Sequence, residues 1–146
     1  MESYLEKRYL LARERINESA YEAAIAFLEK NLKDGDHPAS MSLLGFSLAQ
    51  AGRALHRAEN LCRKAIELEN DNAEHYLHLA EVCIKAHKRE EAFKAVNSGL
   101  KLSPSNKELV KIYNRLRKRQ QPVFTFLERA HPLNKLAGKL LANYRI

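Results

Sequence analysis

The chain has few of the residues that indicate a disulfide scaffold or a structural metal site. Its 146 residues include two cysteines, Cys62 and Cys83, which are separated by 20 residues and form no CxxC pair. Disulfide-rich secreted domains and structural zinc sites need more cysteines at closer spacing. We therefore expect both thiols to be small, buried, apolar side chains in a reducing compartment.

Helix breakers and long apolar runs are also scarce. The sequence contains five glycines, four prolines and no tryptophan, while Leu, Ala, Glu, Lys and Arg dominate, so the composition favours helix. No stretch approaches the roughly 20 apolar residues that a membrane-spanning helix requires, and charges interrupt the first 20 residues every few positions. These absences predict a cytoplasmic protein without a signal peptide or a transmembrane helix.

The positive charge is confined to one end of the chain. The net charge is +7, but residues 107–146 contain ten Lys and Arg against two Glu, a local net charge of +8. The first 106 residues contain fifteen basic and sixteen acidic groups, which leaves −1. The sequence therefore predicts a nearly neutral domain followed by a basic end.

Short apolar motifs recur at a period of about 34 residues. The dipeptides Leu11-Ala12, Leu44-Gly45 and Leu79-Ala80 are 33 and 35 residues apart. Alanines recur at 34-residue intervals at positions 24, 58 and 92. Each unit contains two amphipathic stretches with a polar break between them, as in "YLHLAEVC" and "EEAFKAVNSGLKLSP". A period of this length predicts a stack of helix-turn-helix units.

This pattern resembles the tetratricopeptide repeat. "LLGFSLAQAG" with "AENLCRKAIELEN" matches best in the second unit, which has one extra residue in its turn. The first unit departs most, because Arg15 and Asn31 replace residues that the family usually has as a bulky apolar and a small side chain. The resemblance implies an all-α solenoid of three repeats over residues 5–106, divided as 5–37, 38–72 and 73–106.

The remaining residues form a helical cap and a tail. In "KELVKIYNRLRKRQ", over residues 107–120, Leu109, Ile112, Tyr113 and Leu116 follow one helical stripe, which predicts a capping helix that covers the last repeat. Residues 121–146 follow as a basic apolar tail. We expect this tail to be extended around its prolines and to end in a short amphipathic helix from Pro132. The stretch "PVFTFLERAHPLNKLAGKL" is also similar to tails of short bacterial repeat proteins.

No motif indicates catalysis. The sequence contains no phosphate-binding glycine loop, no GxSxG and no HExxH. His75 and His78 share a helical face and could hold a metal ion, but no nearby Cys, Asp or Glu completes a ligand set, so we interpret them as surface or groove polarity. We expect no enzyme activity, cofactor, metal or small-molecule substrate.

The resemblance directs attention to the concave surface, which the first helix of each repeat lines in this family. Phe46, Leu77 and Ile84 are expected there as an exposed apolar strip for a partner peptide. The positions of a known clamp for chaperone C-terminal carboxylates contain Tyr9, Arg13, Leu43, Glu74 and His78, a set unsuited to a carboxylate. The complete predicted groove is Tyr9, Arg13, Asn17, Ser42, Phe46, Gln50, Leu77, His78, Glu81 and Ile84.

The tail supplies the other candidate binding residues. Its apolar side chains need a surface to cover them, either on the same repeats, on a second copy or on another protein. The predicted docking residues are Val123, Phe124, Phe126, Leu127, Leu133, Leu136 and Leu140. A basic patch of Arg115, Arg117, Lys118 and Arg119 precedes them.

These features together predict a non-catalytic adaptor. Its groove and tail would bind protein partners, or a second copy of the chain, within a larger assembly. A basic-tail protein associated with RNA or the ribosome is the alternative, and contact with an anionic membrane surface is a third interpretation. Nucleic acid is less favoured because no repeated alternation of Arg and aromatic residues is present.

Overall fold

A computed structural model describes residues 2–117 and 132–142. All regular structure within these ranges is α-helical. The helices are α1 (Glu2–Asn17), α2 (Tyr21–Lys33), α3 (Pro38–Gln50), α4 (Leu55–Leu68), α5 (Ala73–Lys85), α6 (Arg89–Leu102), α7 (Lys107–Arg117) and α8 (Pro132–Ala142).

The first six helices form three antiparallel pairs, α1 with α2, α3 with α4, and α5 with α6. The second helix of each pair also packs on the first helix of the next, because α2 contacts α3 and α4 contacts α5. One continuous core therefore runs from Ala12 to Leu116 through all the pairs. This arrangement is a solenoid, in which each unit buries its apolar face against its neighbours.

The three turns within the pairs share one backbone geometry. Ser19, Gly52 and His87 each have positive φ immediately after the first helix. In the first turn the amide of Ser19 donates to the Ile16 carbonyl, and the next amide donates to the carbonyl five residues before it. The other two turns repeat both hydrogen bonds. This is the Schellman motif, which satisfies the last carbonyls of a helix and reverses the chain.

The second turn also accommodates the extra residue that the sequence shows there. Ala54, two residues after Gly52, adopts a second left-handed conformation with φ of 46°. It precedes Leu55, where α4 begins. The insertion is therefore absorbed inside the turn.

Small residues allow the helices to approach where they cross. A Cβ atom on Gly45 of α3 would lie 2.5 Å from the Ala58 carbonyl oxygen and 2.7 Å from the Cys62 sulfur of α4. The first pair has a polar residue instead, since Asn31 of α2 is fully buried. Its Nδ2 donates to the Leu5 carbonyl and to the Ser40 hydroxyl, both at 3.1 Å.

Helix α7 covers the end of the stack, as the sequence predicts for a capping helix. Leu109, Ile112 and Leu116 are buried against α6. The Tyr113 ring stacks on Phe93 at a centroid distance of 5.4 Å, and Arg89 donates to the Leu116 carbonyl. The apolar face of the last pair is therefore removed from water.

The tail is described only at α8. The predicted extended segment, which contains Val123, Phe124, Phe126 and Leu127, lies outside the described residues, as do Lys118 and Arg119. The predicted short amphipathic helix is present from Pro132. In the two described ranges, no helix combines the length and the hydropathy needed to span a membrane.

Candidate partner-binding groove

The first helices of the three pairs, α1, α3 and α5, line one surface that we call the groove. Helix α3 packs directly on α5. Arg13 of α1 and Glu74 of α5 form an ion pair at 3.2 Å, although these helices belong to the first and third pairs. A contact across two units requires a curved stack, so this surface is the concave side.

A buried chain of hydrogen bonds forms the floor of the groove. The Ser42 hydroxyl lies 2.8 Å from Nδ1 of His75 and 3.1 Å from Nδ1 of His78. The other ring nitrogen of His75, Nε2, lies 2.7 Å from the Glu69 carboxylate. One arrangement of protons with both histidines neutral satisfies all three contacts, since His75 then donates to Glu69, Ser42 to His75, and His78 to Ser42.

Burial keeps His78 in the neutral form that this arrangement needs. Desolvation, followed by electrostatic interaction with His75 and Arg13, lowers the pKa of His78 to about 3. The ring lies beside Phe46 with a centroid distance of 5.3 Å. His78 therefore connects the polar floor to the aromatic wall of the groove.

The order Glu69, His75, Ser42 is that of an acid, a base and a nucleophile, but its position excludes nucleophilic attack. Ser42 is only 1% exposed and His75 is fully buried. A substrate carbonyl must reach within bonding distance of the hydroxyl oxygen, and the packed helices leave no path to it. The network is thus a structural element that joins α3 to α5.

The two cysteines are equally inaccessible. Cys62 and Cys83 are buried in the core, as their pattern predicts. Desolvation raises the pKa of both thiols, that of Cys83 to about 11. Near neutral pH both are therefore protonated thiols, which pack as small apolar side chains.

Half-buried side chains form the walls of the groove. Phe46 packs between His78 and Tyr21, with an edge-on contact to Tyr21 at a centroid distance of 6.5 Å. Leu77 is also half-buried. Gln50 and Glu81 border this apolar wall as half-buried polar residues, and Asn17 is exposed.

Three of the predicted groove residues do not lie on its surface. Ile84, which was expected in an exposed apolar strip, is only 4% exposed and belongs to the core. Ser42 and His78 are buried in the floor, so a partner could meet at most the edge of His78. His75 and His78 were interpreted as surface or groove polarity; the surface alternative is wrong, because both rings are buried in the floor of the groove.

The side chains at the positions of the carboxylate clamp are already paired with one another or buried. Arg13 is held by Glu74 and also donates to the Tyr9 hydroxyl at 3.3 Å. Desolvation, followed by the charge of Glu74, raises the pKa of Tyr9. Leu43 is buried. Among the described residues at the clamp positions, the cation is Arg13, and it is already paired when a terminal carboxylate arrives.

The tail and the basic patch contribute only in part to the described surface. Arg115 and Arg117 are exposed in the last turn of α7. On α8, Leu136 and Leu140 are 59% and 57% exposed and Lys135 and Lys139 are exposed beside them. Leu133 lies in the first turn of the same helix.

Two residues of the site, Glu69 and Tyr21, were missed by sequence reasoning. Glu69 follows α4 and orients His75, while Tyr21 begins α2 and supports Phe46. The repeat pattern gives no signal for the network, because Ser42 is the fifth residue of α3 and His75 is the third residue of α5, so the two do not occupy equivalent positions. No signal in the sequence connects Tyr21 to Phe46.

Comparison of the sequence with protein-family models and with curated proteins gives no match. Solved structures do match. The second TPR domain of human RPAP3, in complex with an HSP70 peptide, aligns with a TM-score of 0.66 and 19% identity over 76% of this chain and 92% of that one.

Two bacterial structures are also similar. PcrH of Pseudomonas aeruginosa, in complex with the chaperone binding region of PopB, aligns with a TM-score of 0.64 and 15% identity over 80% of this chain and 94% of that one. A mutant of the Thermobaculum terrenum O-GlcNAc transferase aligns with a TM-score of 0.75 and 17% identity, over 96% of this chain but only 26% of the enzyme. At these identities the similarity is one of fold.

Proposed function

Because the chain folds as a tetratricopeptide-repeat solenoid, we propose that it is a non-catalytic adaptor that binds a segment of a partner protein in its groove. The predicted fold class is confirmed. Fold alone does not determine function, so the proposal depends on the chemistry of the groove itself.

The single observation that carries the proposal is the half-buried wall on a hydrogen-bonded floor. Phe46 and Leu77 present apolar surface that remains partly open to water. Beneath them, Ser42 and the two histidines fix α3 against α5. A wall held in place before binding loses little conformational entropy when a partner docks, which favours affinity.

Similar structures support a protein partner. The RPAP3 domain is in complex with an HSP70 peptide, and PcrH is in complex with a region of PopB. In both complexes, a protein whose fold is similar to that of this chain binds a segment of another protein. We propose the same class of partner, a protein segment, for the present chain, but neither of these two ligands.

The ion pair at the clamp positions indicates which kind of partner segment the groove can bind. Since Arg13 is neutralised by Glu74, recognition of a terminal carboxylate would have to break an existing ion pair. Apolar side chains of an internal segment have a better site at Phe46 and Leu77, with Gln50 and Glu81 available for hydrogen bonds at the border.

We propose that the tail is a second docking element for protein. Leu136 and Leu140 lie one helical turn apart on α8 and are more than half exposed. Burial of each leucine would stabilise a complex by about 1.5 to 3 kcal/mol. The basic residues beside them make RNA the alternative partner for this end of the chain.

Affinity capture from a native extract tests the proposal with four forms of the protein. These are the full-length chain, the double variant Leu77→Ala with Gln50→Arg in the groove, the variant Leu68→Ala, and a chain that ends at Gln120. Leu68 is an exposed leucine at the end of α4, outside the groove, and serves as the matched control.

We expect at least one protein that the full-length chain and Leu68→Ala retain and the groove variant loses. Partners lost only on truncation would belong to the tail. Identical captures by the groove variant and its control would refute the groove as a binding site. Loss of all partners after ribonuclease treatment would favour the RNA alternative.

A further inference from the structure

A second cleft lies between α1 and α2, outside the groove. It has a volume of about 230 Å³ and is lined by six residues. Four of them lie on α1 at positions 4, 7, 8 and 11, the spacing of one helical face. The complete lining is Tyr4, Lys7, Arg8, Leu11, Phe27 and Lys30.

The interior of this cleft is apolar. Leu11 and Phe27 are half-buried where the two helices meet. Tyr4 is 61% exposed at the edge, and the Arg8 guanidinium lies over its ring, 4.3 Å from the centroid. A large aromatic side chain exposed next to half-buried apolar residues is typical of a binding surface.

Every charged residue of the lining is a cation. Arg8 is paired with Asp34 at 2.6 Å, outside the lining. Within residues 2–117 and 132–142, neither Lys7 nor Lys30 has an acidic group within ion-pair distance. The two ammonium groups are therefore available to an external anion.

Another cleft on the same molecule has an apolar interior but lacks this all-cationic lining. Helices α4, α5 and α6 enclose about 320 Å³ lined by Ile66, Tyr76 and Leu79, which is also apolar inside. Its rim has two cations, Arg63 and Lys94, and two acids, Glu67 and Glu91. A rim with both signs of charge favours neither an acidic nor a basic partner, whereas the cationic cleft between α1 and α2 favours an acidic one.

We propose that the cleft between α1 and α2 docks an acidic segment of a partner protein, with one large apolar side chain inserted between Leu11 and Phe27 and carboxylates at Lys7 and Lys30. This site is independent of the groove, because none of its lining residues belongs to the groove. The partner of the first helix pair would therefore be acidic.

Charge complementarity also opposes two occupants that the chain itself could supply. Helix α8 offers the exposed leucines Leu136 and Leu140, but its sequence contains two lysines and no acid. The same cleft of a second copy would bring cations against cations. Like charges placed face to face oppose both associations.

Synthetic peptides test the proposal on the full-length chain. The probe is a fluorescent ten-residue peptide of Glu and Ser with one central Phe. Its controls are the same peptide with Ala for Phe, the same peptide with Lys for Glu, and a single-stranded oligonucleotide of equal charge. Binding is measured by anisotropy at two salt concentrations, and the site is located by amide chemical-shift changes.

The variant is Lys7→Glu with Lys30→Glu, and its matched control is Lys101→Glu. All three lysines are exposed, so the helical circular dichroism of both variants should equal that of the wild type. We expect the acidic Phe peptide to shift amides of α1 and α2, and to bind at least about tenfold more weakly to the double variant than to Lys101→Glu. The Ala and Lys peptides should bind more weakly to the wild type.

Four results would overturn the proposal: no binding of the acidic Phe peptide at millimolar concentration, equal binding by the double variant and Lys101→Glu, equal binding of the Lys peptide, or chemical-shift changes confined to the groove. Tighter binding of the oligonucleotide, lost in the same double variant, would replace the protein partner by a nucleic acid.

Discussion

The two boundaries between helix pairs differ in where their polar contacts lie. Buried polar groups join the second pair to the third, whereas most polar contacts between the first pair and the second lie on the surface. The Ser42 network crosses the former boundary, which we call the second seam. Glu59, only 7% exposed, crosses it too and pairs with Lys88 at 2.7 Å. At the first seam, exposed ion pairs join Glu22 to Arg53, Glu29 to Arg57, and Asp36 to Lys64.

Helix α1 is the most weakly packed element of the three pairs, because it lies at the end of the stack and packs mainly on α2. Ala12 is its only fully buried apolar residue among those described, and open clefts lie on both of its sides. Exposed ion pairs contribute about 0 to 1 kcal/mol each, so the first seam gains little from them. Binding surfaces are commonly drawn from such low-stability elements, and both surfaces proposed above include α1.

The largest effect is expected from Gly45→Val, at the contact of α3 with α4 inside the second helix pair. The new Cβ would lie 2.5 Å from a backbone oxygen of α4, so the two helices must separate. We expect a loss of about 3 kcal/mol or more in the free energy of unfolding, measured by urea denaturation. The control Gly52→Ala has open space around it but positive φ, and should lose about 1 kcal/mol. Equal losses would refute close packing at Gly45.

Ser42→Ala tests the polar network of the second seam. It leaves Nδ1 of both histidines without the hydroxyl, and a buried polar group without a partner costs about 1 to 3 kcal/mol. Ser47→Ala is the control, since Ser47 is also buried on α3 but bonds only to the Leu43 carbonyl within its own helix. We expect the loss at Ser42 to exceed that at Ser47 by about 1 kcal/mol or more. A similar loss at both sites would show that the network adds no stability.

Acid should weaken the same seam. The pKa of His78 is lowered from 6.5 to about 3 by folding, so the unfolded chain binds the proton more tightly. The stabilisation is complete above pH 6.5 and is lost as the pH falls toward 3. Between pH 6.5 and 5 we expect a loss of about 1 to 2 kcal/mol in the denaturation free energy.

His78→Gln should show a smaller change over that pH range. The pKa of Glu59 is also lowered from its ordinary value of 4.5, by its hydrogen bonds to Lys88 and Arg63 against the opposing effect of burial. Its titration falls below the chosen window. An unchanged pH slope in His78→Gln would contradict the assignment to this histidine.

Asn31→Leu should have the smallest effect, at the first seam. Asn31 is fully buried, yet its Oδ1 has no hydrogen-bond partner. Replacement by an apolar side chain of similar volume removes that unsatisfied atom, which stabilises the fold, but leaves the buried Ser40 hydroxyl without Asn31 as a partner. Because the two effects oppose each other, we expect a net change within about 1 kcal/mol. A loss comparable to that of Ser42→Ala would mean that both seams depend equally on buried polar groups.

The fold could be predicted because each repeat contains the same information. Apolar residues at a period of 34 residues specify both helices of a unit, and Gly45 marks their close approach. Three units that agree with one another leave little ambiguity in such a stack. The capping helix was predictable for the same reason, since Leu109 and Ile112 continue the apolar stripe.

The groove was less predictable, because helical periodicity gives the face of a residue but not its depth. Ile84 and His78 lie on the predicted side of α5, but neighbouring helices cover them. Whether a polar residue lies in the floor depends on a partner in another unit, as Ser42 provides for His75. Single-sequence patterns contain no such pairing.

The second turn shows how repeats of unequal length can share one structural period. Gly52 takes the left-handed position that Ser19 and His87 occupy elsewhere, and Ala54 adds a second one. The added residue changes the path of the loop, while α4 still meets α3 and α5 as the other second helices meet their neighbours. A single-residue insertion at this point therefore leaves the spacing of the stack intact, and such turns are positions where repeats can lengthen during evolution without repacking their cores.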